Sequence, residues 1–245
     1  MDRPLEDAYS SASDELAAAE AQSLVRHQLR APLAVIQPVI GMLLDGTAGP
    51  VNEKQLNYLT MLERNVSRLA GGIASVVESG WLEVAAVPMR PGRVDVADLV
   101  RGVADDVRAS VESAPRLEVR VADSLPCVRG DAFRLGRALR NVVLNACSYT
   151  PRNGLVGVRA ETSPGGERVI VVVEDSGCGV APDDLAHVFE LGYRGEAAKS
   201  CSAEGLGLGL AVARAIVREH GGAIVLERAA DQGARVSIEL PAAAS

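Results

Sequence analysis

Aromatic side chains are almost absent from this chain: one Trp, two Phe and four Tyr in 245 residues. Any core must therefore be built from Val, Leu, Ile and Ala, which the 48% apolar content supplies. Cysteine is scarce too, at positions 127, 147, 178 and 201. No two of these form a C-x-x-C pair and no His stands at ligand spacing, which argues for reduced, structural thiols rather than a zinc site. No stretch approaches the ~20 apolar residues needed to cross a bilayer. The segment Met1 to Ser13 is polar and acidic, unlike a signal peptide. These absences predict a cytoplasmic protein with no direct membrane insertion. Basic charge is in deficit: the net charge of −7 argues against nucleic acid as a partner. It leaves phosphate ligands open, because glycine loops and helix termini hold phosphate without global positive charge.

The chain is long enough for one or two domains. Its first third carries helical periodicity. Leu29, Leu33, Ile36, Ile40 and Leu43 are spaced 4, 3, 4, 3, the seam of a heptad repeat. Gly46, Gly49 and Pro50 break that helix. Asn52 then reads as an N-cap, with Gln55 closing a capping box. Leu59, Leu62, Val66, Leu69, Ile73 and Val76 make a second seam. A single hairpin cannot cover both seams, so two copies are expected to pair into a four-helix bundle, a homodimer. Residues 1–13 read as a flexible N-terminal segment, 14–80 as the hairpin and 81–92 as a linker rich in Pro and Gly. From Val94 helices and strands alternate, and residues 93–241 predict an α+β domain, one sheet against a helical layer.

Chemistry is concentrated at four places. His27 lies in the first helix, at a b position when the seam is extended backwards, and so faces solvent. An exposed imidazole is largely neutral at cellular pH, given an unperturbed pKa near ~6.5, and its neutral form is a nucleophile. Pro32 removes the helical partner of the Gln28 carbonyl and loosens the helix beside it. The second place is a helix running from Asp131 to Tyr149. Asn141 and Asn145, four apart, share one face of it, and a carboxamide oxygen suits Mg²⁺ that already carries nucleotide phosphates. The third is Asp175, at the end of the apolar run Val169 to Glu174. A carboxylate there accepts from the exocyclic amine of adenine and repels the guanine carbonyl, while Gly177 and Gly179 let backbone approach the base. The fourth is Gly205-Leu206-Gly207-Leu208-Gly209, which opens an apolar helix whose N-terminal amides can hold phosphate oxygens. Between the two glycine clusters lies a polar stretch with Tyr193, Arg194 and Lys199, where Arg194 or Lys199 is a candidate phosphate contact.

Taken in order, these segments resemble the boxes of the sensor histidine kinases. His27 to Pro32 is similar to the phosphoacceptor box of that family. Asn141 to Pro151, Asp175 to Gly179, Phe189 to Gly195 and Gly205 to Leu210 are similar to its nucleotide boxes. The resemblance spans about residues 14 to 240. It implies a dimerisation and phosphotransfer hairpin followed by a Bergerat-type ATP-binding domain. It also implies ATP and Mg²⁺ as cofactors, with Asn141, Asn145, Tyr149, Asp175 and the glycine clusters around the nucleotide and Asn145 on the metal. His27 is then the phosphoacceptor, and the receiver domain of a response regulator is the partner whose aspartate takes the phosphoryl group. Four positions depart from the family pattern. Gln28 stands where an acidic general base is usual, Ala31 where Thr or Asn is frequent, Ser148 where Lys is frequent, and Leu191-Gly192 in place of Pro-Phe. Gln28 predicts slow autophosphorylation and keeps a second reading open, a dimeric phosphotransfer or docking module with weak or lost kinase activity. With about 13 residues before the first helix, either the chain is the catalytic part of a longer receptor or a partner supplies the signal.

Overall fold

A computed structural model describes residues 32–79, 89–111, 115–195, 207–229 and 232–243. His27, Gln28, Lys199, Gly205 and Leu206 lie outside the described residues. The chain divides into two compact units, Met1–Val87 and Pro88–Ser245.

In the first unit residues 32–44 are helical (α1) and Glu53–Ser79 forms α2. The break between them is made by Gly46 and Gly49, both at positive φ, where a side chain would be strained. The expected capping box is present at the start of α2. The Gln55 amide donates to Asn52 Oδ1 and the Asn52 amide donates to Gln55 Oε1, each at 2.9 Å. Along the α1 seam Leu33 and Ile40 are buried, yet Ile36 remains 43% exposed and Leu62 of α2 53% exposed.

The second unit begins with a short strand, β1 (Gly92–Val94), at the end of the stretch expected to be linker. It pairs antiparallel with β3 (Val128–Gly130) in a two-stranded ribbon. Three residues per strand are too few for a periodic signal, and the pairing partner lies far along the chain, so sequence pattern missed both. Helix α3 (Val96–Ser110) is capped by Asp95, whose side chain accepts from the amides of Ala97 and Asp98. A five-stranded sheet follows: β2 (Arg116–Val121), β4 (Leu155–Thr162), β5 (Arg168–Asp175), β6 (Ala223–Arg228) and β7 (Ala234–Pro241), in the order β2-β4-β5-β7-β6. Only the β2–β4 pair is parallel. Helices α4 (Ala132–Tyr149) and α5 (Gly209–Glu219) complete the helical layer.

Alternation decides which face packs. Val169, Val171, Val173 and Asp175 of β5 are buried, in line with Val156, Val158 and Ala160 of β4 and Val236, Ile238 and Leu240 of β7. Helix α4 meets this face with Leu135, Ala138, Leu139, Val142, Val143 and Ala146. Each fully buried Val or Leu contributes roughly 1.5–3 kcal/mol, which is how a core almost free of aromatics holds together. The opposite face carries ion pairs such as Arg159–Glu174 and Arg168–Glu239. The result is the expected α+β sandwich, with the core between sheet and helices.

Two polar networks pin its far end. Asp131 caps α4 through Oδ1 to the Arg134 amide at 3.1 Å, and its Oδ2 accepts from the Arg90 amide at 3.0 Å. The Asp131 amide donates to His220 Nε2 at 2.9 Å, and His220 Nδ1 meets the Ile216 carbonyl at 2.7 Å. Position 220, at the end of α5, is one where positive charge is ordinarily favoured. Here the imidazole is buried and uses one nitrogen as acceptor and one as donor, which only the neutral ring can do.

Candidate functional site

The ends of α4, β5 and α5 converge on a pocket of about 830 Å³, counting its open mouth. Its walls are Val142 and Ala146 of α4, Val173 of β5, Leu226 and Val236 of the neighbouring strands, and Leu210 of α5. Asn145, Tyr149, Asp175, Gly179, Tyr193, Arg194, Gly207 and Gly209 also line it, so residues far apart in sequence share one cavity.

Asp175 closes the apolar end. The core-facing alternation of β5 places it there, and it is only 8% exposed. Its Oδ1 accepts from the Gly177 amide at 2.9 Å and the Ala234 amide at 3.2 Å. Among the described residues nothing donates to Oδ2, which leaves that oxygen for a ligand donor. Burial pushes the carboxyl above its usual pKa, with the neighbouring Glu174 charge adding to the rise; the two amides oppose both. Cys147 lies behind it, its thiol raised to about 11 by burial and by the Asp175 charge.

The glycines earn their positions by close approach. A Cβ on Gly177 meets the Tyr149 carbonyl, and one on Gly179, at φ 70°, meets the Gln232 carbonyl. Sequence reasoning missed the other half of this contact. Gly233 packs so tightly on the Asp175 backbone that no side chain fits, and the turn before it holds Gln232 at φ 72°. This turn delivers the Ala234 amide to Asp175, 59 residues away in sequence. The Gln-Gly pair was the available turn signal.

The opposite end suits an anion. Helix α5 starts at Gly209 after Leu208, with no side-chain cap and no acid in its first turn. Among the described residues no side chain accepts from its first amides, which lie before the first intrahelical bonds, the condition under which helix N-termini hold phosphate. Gly207, at φ 71°, sits where a Cβ meets the Tyr193 carbonyl, and the Gly192 amide donates to the Gly207 carbonyl at 3.2 Å. Asn145 faces the pocket, whereas Asn141 is buried behind Gly209, where an added Cβ would lie 3.7 Å from the Asn141 Cβ. The shared helix face therefore splits into one pocket residue and one packing residue. Ser148 turns back to donate to the Leu144 carbonyl at 2.7 Å.

The segment after the first glycine cluster is tied down by three contacts. Tyr193 Oη donates to Asp184 Oδ1 at 2.6 Å. Arg214 of α5 donates to the Phe189 carbonyl at 2.8 Å and stacks over the Phe189 ring at 5.2 Å. Asp184 was not anticipated as a pocket residue; its anchor role depends on a tyrosine nine residues on.

The residues fit an adenine nucleotide: an acceptor oxygen in an apolar end, uncapped helix amides at the other, and an arginine in the lining. Among the described residues no group of three or more His, Cys, Asp or Glu can hold a metal alone. A divalent ion here would need phosphate oxygens beside the Asn145 carboxamide.

Residues 130–244 match the family described as histidine kinase-, DNA gyrase B- and HSP90-like ATPases. The solved structure of the mycobacterial sensor histidine kinase MprB is 31% identical, with TM-score 0.55, covering 63% of this chain and 100% of MprB's. The chain belongs to the sensor histidine kinases. The Mycobacterium tuberculosis sensor-like histidine kinase SenX3 is 31% identical over 219 residues, which are 89% of this chain and 52% of SenX3. Full-length ShkA, crystallised with AMPPNP, is 29% identical with TM-score 0.59, covering 92% of this chain and 46% of its own. The chain thus spans about half the length of the curated relatives it matches first. Among the described residues no helix is long and apolar enough to cross a membrane.

Proposed function

We propose that this kinase-family chain binds ATP with Mg²⁺ in the pocket and transfers the γ-phosphoryl group to His27, from which it passes to a response-regulator aspartate. The observation that carries the reading is Asp175, with Oδ1 held by two backbone amides and Oδ2 open in an otherwise apolar end. That arrangement accepts from the adenine amine. The α5 amides at Gly209 and Leu210 then hold phosphate oxygens, and Arg194, also in the pocket lining, meets the terminal phosphate. Asn145 would bring the magnesium ion, whose role is to neutralise charge between the β- and γ-phosphates. In the transfer an imidazole nitrogen of His27 bonds to the γ-phosphorus, the bond to the β,γ-bridging oxygen breaks, and ADP leaves. The second ring nitrogen gives its proton to solvent, because the Gln28 amide cannot take it. Positioned general bases contribute ~10²–10⁴-fold, so transfer is slow. Replacing Gln28 by Glu speeds it; no gain in rate removes this explanation.

Pairing of two chains through α1 and α2 belongs to the same proposal. Of the exposed large apolar residues in the described chain, Val35, Ile36, Val39, Met42, Leu56, Tyr58, Met61 and Leu62 all lie on these two helices. A second copy forming a four-helix bundle covers them. Gln28 favours the alternative, a dimeric docking module that kept the kinase shape and lost its chemistry. Incubation with γ-labelled ATP separates the two. Acid-labile label that disappears in His27→Ala supports the kinase; label that survives the substitution rejects it.

A further inference from the structure

At the end of α4 and α5 remote from the nucleotide pocket, two arginines stand side by side. The β1–β3 register puts Arg93 directly opposite Arg129, and both are exposed. Like charges facing each other across antiparallel strands repel. Five other surface arginines of the unit have carboxylate partners: Arg101 with Asp98, Arg108 with Asp105, Arg116 with Glu118, Arg159 with Glu174 and Arg168 with Glu239. Among the described residues Arg93 and Arg129 have none. What sets them apart from Arg152, Arg218 and Arg228, likewise unpaired among those residues, is that they face each other. Both line a cleft whose wall includes Met89, Pro91, His220 and Glu219. Neither polar side chain in that wall relieves the arginines. Glu219 is engaged by Arg134 at 2.6 Å, and His220 spends both ring nitrogens on Asp131 and Ile216.

We propose that Arg93 and Arg129 form a docking site for an acidic protein segment, two guanidinium forks on neighbouring carboxylates. Arginine suits this because its planar fork matches a carboxylate bidentately. The exposure of the pair selects a polyvalent ligand over a free ion. A single exposed ion pair is worth ~0–1 kcal/mol, too little to hold a small anion, whereas several carboxylates on one chain bind together. With a net charge of −7 on the protein, an acidic partner needs a local basic pair of this kind to offset repulsion. The site lies about 27 Å from the nucleotide end, the length of the 18-residue α4. Its occupation therefore does not compete with nucleotide.

The test is titration of a fluorescein-labelled octaglutamate peptide into the full-length chain at low and high salt. Saturable, salt-sensitive binding is expected, weakened at least tenfold in the double variant Arg93→Gln/Arg129→Gln and unchanged in Arg116→Gln. ATP affinity, measured on the same samples, stays at the wild-type value in all three proteins; this control reads the fold separately from the site. Equal peptide affinity in the wild type and the double variant overturns the proposal. So does inorganic phosphate binding to the wild type with no peptide binding, which would mark a simple anion site.

Discussion

Replacing Asp175 by Asn isolates the central argument, because it changes one atom's chemistry and little of the shape. The two backbone donors, from Gly177 and Ala234, need an acceptor at the Oδ1 position. An Asn carboxamide has one oxygen, and those amides claim it. Its NH₂ group is then forced into the pocket, where the carboxylate presented Oδ2. An acceptor becomes a donor facing the adenine amine. Loss of a hydrogen bond to a charged group costs about 1.5–3 kcal/mol, so ATP affinity should fall roughly 10- to 100-fold. The same NH₂ matches the guanine carbonyl, so GTP affinity should not fall, and the preference for ATP should collapse. Isothermal titration calorimetry with both nucleotides measures this. Stability should move the other way. The Asp175 carboxyl titrates above its usual value because it is buried, so the folded state holds its proton more tightly than the unfolded chain. That advantage is present at low pH and is lost as pH rises through the folded pKa. At neutral pH the wild type therefore carries a buried charge that Asn lacks. The variant should melt at or above the wild-type temperature at pH 7, and the difference should narrow as pH falls towards the ordinary carboxylate range. Undiminished ATP affinity, or a gap that widens in acid, would refute the reasoning.

Other outcomes follow from the same geometry. Cys147, its thiol raised to about 11 and buried, should resist iodoacetamide at pH 8 while exposed Cys178 is alkylated; mass spectrometry of tryptic peptides reads both. Gly179→Ala places a Cβ against the Gln232 carbonyl at a positive φ, and should lower stability by about 1–3 kcal/mol in chemical denaturation. It should also weaken ATP binding, since the shifted loop carries Gly177 and its hydrogen bond to Asp175. His220→Phe leaves the Asp131 amide without its acceptor, a cost of about 1–3 kcal/mol; the melting temperature should drop while the ATP-to-GTP preference stays unchanged.

The parts of this protein that are local in sequence were legible there. The apolar alternation ending in Asp175 marked a strand with one buried face, and burial of the carboxylate followed. The Asn52–Gln55 capping box and the glycine breaks around Gly46 needed only neighbours three or four residues away. Glycines at 177, 179, 207 and 209 signalled close backbone approach, and they line or support one pocket. Tertiary structure decided what those groups touch. It split Asn141 from Asn145 by packing one behind Gly209. It brought the Ala234 amide to Asp175, and it set His220 as a neutral acceptor for an amide 89 residues earlier. It also paired Arg93 with Arg129 in a ribbon whose strands are too short to show a period. Hydrogen-bond partners and charge neighbours of this kind depend on which chain segments fold together. Periodicity and composition report only what each segment buries, and therefore could not name them.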